Sequence, residues 1–224
     1  MTRYREEDPH TGLFASLFGT SAVVHRSRFE IDLNRERHEA VYLTPKEAWG
    51  LEIWEEDPSE ELVAESRSLH DSFYGQLGTA LDEMAAEHGG FVLYDLHSYN
   101  HRRGGPDGPA DPAEENPTIN LGTGSLPGQW RAVARAFLAS MSAATLDGGP
   151  IDARENVRFR GRQVATFVHD RYGDIGCALA IEVKKVFMDE WSGEFFPDVH
   201  RALGSALTAS AAPVLDAWRR SARR

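Results

Sequence analysis

The chain has 224 residues, 41% of them hydrophobic and 26% charged, with a formal net charge of −11. That length suits a single domain over residues 1–224 with enough apolar content for a core, and the acidic balance argues against nucleic acid, whose phosphates call for a basic face. The one cysteine, Cys177, excludes an intrachain disulfide and a cysteine-built zinc framework.

Cys177 lies in an apolar run and reads as a small buried hydrophobe, and a lone cysteine favours a reducing, cytoplasmic setting. No stretch is long and apolar enough to span a bilayer, and Met1 to Asp8 lacks the apolar core of a signal peptide. Arginines gather near 26–37 and 101–103, so a locally basic pocket for a small anionic ligand is expected in an otherwise acidic protein.

In chain order, Glu6, Glu7 and Asp8 are followed by Pro9 and His10, which makes either a compact ligand-rich turn or a solvated charge run. Thr11 is placed to cap a short helix from Gly12 to Phe18. Ala22 to Val24 opens a predicted strand. Phe29, Ile31 and Leu33 then alternate with Glu30, Asp32 and Asn34, continuing it with one polar face. Residues 44–58 read as a loop that packs Trp49 and Trp54. A helix is predicted from Ser59, its N-cap, to His88, with Gly89 and Gly90 as the stop. Leu62, Leu69, Phe73, Leu77, Leu81 and Met84 form its expected core face.

Phe91 to Leu96 reads as a buried strand. It delivers Asp95, His97, Ser98, Asn100, His101, Arg102 and Arg103 to its carboxyl end, where open α/β sheets bind ligands. Residues 104–117 form a loop, either a lid or plain surface. A short strand over Thr118 to Leu121 leads to a helix over Pro127 to Ser142, with Trp130, Val133, Phe137, Leu138 and Met141 inward. Asn156 to Phe159 reads as a strand and Gln163 to His169 as a helix. Cys177 to Phe187 is a central strand carrying Glu182, a carboxylate in an apolar run that needs a partner or a job. An amphipathic helix over Pro197 to Arg220 closes the chain. Alternating strands and helices predict an α/β, three-layer sandwich with a mixed, largely parallel central sheet.

Gathered at the carboxyl edge, His97, Glu182, the 6–8 acids and Arg28, Arg35 and Arg102 suit metal-assisted hydrolysis. His and carboxylate side chains around an open position are the ligands of a catalytic zinc. A further carboxylate can move the proton from water to the leaving nitrogen, and arginine can hold an anionic tail. Asp95 is placed to orient His97.

Several stretches resemble the N-formylglutamate amidohydrolase family. They are Ser27–Arg35, Asp95–Arg103, Ala180–Lys185 and Phe187–Trp191, in order over most of the chain. The resemblance implies a zinc-exopeptidase-like fold, related to zinc carboxypeptidases and to the aspartoacylase and succinylglutamate desuccinylase group. It implies one zinc ion with His97 as ligand and a carboxylate ligand from the acid cluster, Glu7 foremost and Asp8 its competitor. It makes Glu182 the general base, with Asn34 and Arg35 on a substrate carboxylate and Arg28 in support. The implied reaction takes N-formyl-L-glutamate to formate and L-glutamate, a late step of one histidine-degradation route.

Two departures stand out. The family places a strand and a His-Gly-type motif ahead of the acid cluster, whereas Glu6 here lies a few residues after Met1. A shortened start that lacks this strand, a misassigned start, or substitution by another histidine, His10 being nearest, would each account for it. Gly161-Arg162 also stands where relatives often have paired glycines. Two further readings follow: a non-catalytic or metal-deficient member that binds a small carboxylate, and a metal-free acid/base enzyme using His97 and Glu182.

Overall fold

The structure is a computed structural model and describes residues 2–223, with side chains from residue 4 onward. Its contacts divide the chain into two compact units, residues 1–23 with 92–224, and residues 24–91. The elements in chain order are α1 (Thr2–Glu6), α2 (Thr11–Ala15), α3 (Glu60–His88), β1 (Phe91–Tyr99), β2 (Ile119–Gly122), α4 (Arg131–Ala143), β3 (Thr145–Leu146), β4 (Gly149–Pro150), β5 (Ala153–Glu155), α5 (Gln163–Tyr172), β6 (Gly176–Lys184) and α6 (Pro197–Ala222). The fold is mixed α/β. Among the described residues no helix is long and apolar enough to cross a membrane.

The larger unit is built on a four-stranded sheet of order β1-β6-β2-β5. β2 runs parallel to β5 and antiparallel to β6, with Asn120 opposite Glu182. Lys185 N donates to Tyr99 O at 3.0 Å just past the carboxyl ends of β6 and β1, so these two strands run the same way and the sheet is mostly parallel. Ile119, Leu121, Leu179, Ile181 and Val183 alternate onto one face, where Phe137 of α4 and Leu203, Leu207 and Val214 of α6 join them in the core. Glutamate and asparagine at the intervening positions go to the opposite face. Gly122 is required at the end of β2, because a Cβ there would stand 2.3 Å from Gly161 N.

Most predicted elements of this unit are present. Two differ. The helix after His10 ends at Ala15, and Thr11 does not cap it: His10 is the N-cap residue, with a left-handed backbone, and Thr11 Oγ1 donates to Asp8 O at 2.7 Å. The strand expected over Asn156–Phe159 lies earlier, at β5. Asn156 has φ 54°, which ends the extended run, and Asn120 takes the backbone N–H of Arg158 instead of a neighbouring strand.

In the smaller unit α3 begins and ends as predicted. Ser59 accepts from Leu62 N, and Gly89 closes the helix with φ 76°. Its buried residues are Ser66, His70, Gly78 and Leu81, so of the six expected core residues only Leu81 is buried and Leu62 is exposed. The face is partly polar because it hydrogen-bonds loop carbonyls. Arg67 Nη2 donates to His38 O at 3.1 Å, His70 Nε2 to Arg35 O at 3.0 Å, and Tyr74 OH to Leu33 O at 2.6 Å. Residues 24–58 contain no strand or helix. The predicted strand over 22–33 is absent because its amides close local turns: Glu30 N and Ile31 N both donate to Ser27 O, and Asp32 N donates to Ala40 O. Phe29 packs with Tyr42 and Ala48, and Ile31 with Ala40 and Val41, in two separate small clusters.

Candidate active site

β1 brings Asp95, His97 and Tyr99 to one face. Lys185 N bonding Tyr99 O sets Asn100 opposite Lys185 in a parallel pair, and Lys185 Nζ reaches Asn100 Oδ1 at 3.0 Å. Three residues back along both strands, His97 stands opposite Glu182, and Glu182 stands opposite Asn120. His97, Glu182 and Asn120 therefore form a row across three neighbouring strands, each about 4.8 Å from the next. Asn120 is fully buried; it donates to Phe159 O at 2.9 Å and accepts from Arg158 N at 2.8 Å, tying the 158–159 segment beside Glu182.

His97 has a carboxylate on each ring nitrogen. Nε2 lies 2.9 Å from Asp95 Oδ1, and Nδ1 lies 3.4 Å from Asp8 Oδ2. Asp8 is held there because its other oxygen accepts from Ser98 N at 2.8 Å and Ser98 Oγ at 3.2 Å. Burial alone would lower the His97 pKa, but Asp95 and Asp8 outweigh it and hold it well above the usual histidine value. A neutral imidazole has one N–H and cannot serve both carboxylates. The site asks for positive charge at the ring or between Nδ1 and Asp8.

The acid segment is clasped from the strand ends. Lys185 is 1% exposed, and its three ammonium donors are all used, on Arg5 O (2.6 Å), Glu7 O (2.8 Å) and Asn100 Oδ1. Glu190 is buried and takes Arg5 Nη2 at 3.1 Å and His101 N at 2.7 Å. Burial would raise the Glu190 pKa, but His101 and Arg5 hold it down at about 2. Arg5 also lies 3.9 Å over the Trp191 ring.

In the smaller unit Asp32, 3% exposed, organises the arginines. Arg28 Nη2 donates to Asp32 Oδ2 at 3.0 Å, Arg35 Nε lies 3.7 Å from the same oxygen, and Asn34 N donates to Oδ1 at 3.0 Å. Tyr42 OH donates to this carboxylate as well. Burial opposes ionisation of Asp32, but Arg28 and these hydrogen bonds prevail and lower its pKa. The Arg35 guanidinium lies 4.3 Å over the Tyr42 ring.

The sequence-predicted residues thus fall into two groups, each with its own local order. His97, Asp95 and Glu182 share the sheet face, and Asp95 sits where it orients His97. The carboxylate bonded to His97 is that of Asp8, while Glu7 lends its backbone carbonyl to Lys185. Arg28, Asn34 and Arg35 converge on Asp32. Arg102 Nη1 is engaged with Asp189 Oδ2 at 2.7 Å, and its backbone N–H donates to Glu190. Sequence reasoning missed Asp32, Asn120, Lys185 and Glu190. Lys185 had a signal, a lysine closing an apolar strand, but its carbonyl acceptors lie about 180 residues earlier in the chain. Another histidine, His169, is kept neutral. Burial pushes its pKa down to about 4, and Nε2 accepts Ala178 N–H, so Nδ1 carries the proton and donates to Ser125 Oγ. It cannot act as a base toward that serine.

The fit to a zinc ion rests on His97 and Asp8. Two ligands bound at about 2.0–2.2 Å in tetrahedral geometry stand about 3.4 Å apart, which matches the Nδ1···Oδ2 separation of 3.4 Å and is long for a charge-assisted hydrogen bond. The donor chemistry fits at these two positions. Among the described residues no group of three or more His, Cys, Asp or Glu side chains is spaced to hold a metal.

The model of the N-formylglutamate amidohydrolase family (FGase) matches residues 1–188. The crystal structure of N-formylglutamate amidohydrolase from Ralstonia eutropha JMP134 at 2.00 Å resolution is similar in fold, with a TM-score of 0.55 and 16% sequence identity over 83% of this chain and 73% of that one. No curated protein matches the chain. With a family match over most of its length, on a fold whose strand edges carry His97 and Glu182, the chain belongs to the N-formylglutamate amidohydrolase family.

Proposed function

We propose that the chain hydrolyses the amide of N-formyl-L-glutamate to formate and L-glutamate, using one zinc ion. The observation that carries this reading is the placement of Glu182 opposite His97 on the neighbouring strand, with Asp8 on His97. Glu182 takes a proton from the attacking water, whose oxygen bonds to the formyl carbon. The C–N bond then breaks, and Glu182 returns the proton to the departing nitrogen, so formate and the free amine leave. His97 Nδ1 and Asp8 Oδ2 would hold the metal, with Asp95 fixing the imidazole through Nε2. When bound, the zinc supplies Lewis acidity at the scissile carbonyl. Arg35, Asn34 and Arg28, set by Asp32, recognise a substrate carboxylate. The α4 and α6 side chains packed against one sheet face support a layered, zinc-exopeptidase-like arrangement.

Because no group of three or more metal-ligating side chains gathers among the described residues, a carboxylate-binding protein without turnover is the second reading. Formate release from N-formyl-L-glutamate, measured after zinc loading with metal content determined in parallel, separates the two. Stoichiometric zinc with formate release that Glu182→Gln abolishes supports hydrolysis. Glutamate binding without formate release at any zinc level contradicts it and leaves the binding protein.

A further inference from the structure

Trp49 combines a strained backbone with a large apolar side chain left partly in solvent. Its φ is 56°, in the left-handed region that costs a bulky side chain, and the residue remains 46% exposed. The turn that carries it is firmly tied. Ala48 N and Gly50 N both donate to Pro45 O, at 3.0 and 2.7 Å, and Glu47 Oε2 accepts Leu43 N and Thr44 N. Arg35 Nη2 reaches Glu47 O at 3.1 Å, and Ala48 is fully buried. Glycine would satisfy the Trp49 backbone at little cost. A strained position whose surroundings over-determine it points to function.

The surroundings say which function. The Arg28 guanidinium lies 5.2 Å from the centre of the indole, and Phe29 and Tyr42 flank it at 6.4 and 5.7 Å. The exposed part of the indole is an apolar wall beside Arg28, which Asp32 couples to Arg35. We propose that Trp49 is a ligand contact that sets specificity: a carboxylate goes to the arginines and the attached methylenes lie against the indole. The ligand class is a small acid with an aliphatic chain, not a bare carboxylate. This rests on the reading of Arg28 and Arg35 as carboxylate binders.

The experiment is calorimetric titration of glutarate and acetate into wild type, Trp49→Gly, Trp49→Phe and Arg35→Met, with Tm measured for each. Trp49→Gly trades the relieved backbone against the lost Phe29 and Tyr42 contacts, so its Tm serves as the folding control, and it should bind glutarate at least fivefold more weakly with acetate unchanged. The change in tryptophan emission on glutarate saturation should largely vanish in Trp49→Phe. Glutarate affinity within twofold of wild type in Trp49→Gly, or an undiminished emission change in Trp49→Phe, overturns the role of Trp49 alone. Absence of glutarate binding to wild type, or unweakened binding to Arg35→Met, overturns the arginine reading and the role of Trp49 with it.

Discussion

The strand-borne edge of the larger unit and the arginine loop of the smaller one solve the same problem, the fixing of charged groups, by different means. At the edge, the sheet sets the positions. His97 and Glu182 are aligned by ladder register, and Asp8, which lies outside the strands, is held by Ser98 while Lys185 and Glu190 clasp the segment just before it. In the loop no ladder exists. There a single buried carboxylate, Asp32, with Tyr42 and three side chains of α3, holds backbone and guanidinium groups together. The difference teaches that order at the edge is spread over many backbone hydrogen bonds, whereas order in the loop depends on a few side chains.

The largest expected effect is chemical. Glu182→Gln should lower kcat by about 10²–10⁴-fold with thermal stability near wild type, since the amide keeps the shape of the side chain. A loss of Tm comparable to that of a core mutation would make Glu182 structural and break the division between the two regions.

Lys185→Met tests the clasp. It removes the donors of Arg5 O, Glu7 O and Asn100 Oδ1 from a buried position, and should cost about 3 kcal/mol in urea unfolding. A cost under about 1 kcal/mol would mean that the acid segment is held by other contacts.

Acid titration sharpens the same point through Glu190. Its pKa is about 2 when folded against an ordinary 4.5, so its stabilising contribution is fully present above 4.5 and is lost as pH falls from there through about 2. The linkage amounts to about 3 kcal/mol. Glu190→Gln should be less stable at neutral pH and should flatten the acid limb of the stability curve. An unchanged limb would remove Glu190 from the account. The smallest effect is expected in the loop: Tyr74→Phe deletes one hydrogen bond to Leu33 O and should cost about 1 kcal/mol.

The same contrast governs what the sequence made legible. β1 and β6 were readable because apolar runs with a sudden polar end carry their own signal, and His97 and Glu182 came with them. The helix ends were readable from Ser59, Gly89 and Pro197. The loop was not. Phe29, Ile31 and Leu33 alternate as a strand does, yet Phe29 and Ile31 serve two separate clusters joined by turns, and periodicity cannot tell these apart. The α3 core face was misread because hydrophobicity does not register a His or Tyr that is buried to hold carbonyls. Glu7 and Asp8 differ by one position in a turn, where neighbouring side chains diverge and only tertiary contacts decide which one meets His97.

In the proposed function, hydrolysis belongs to the sheet edge and carboxylate recognition to the arginine loop. Steady-state kinetics of formate release by zinc-loaded Glu182→Gln and Arg35→Met test it most directly. Glu182→Gln should lose kcat with KM near wild type, while Arg35→Met should raise KM for N-formyl-L-glutamate by about 10–100-fold with kcat largely kept. If Arg35→Met lowers kcat as far as Glu182→Gln does while KM stays unchanged, the two regions do not divide the work and the claim fails.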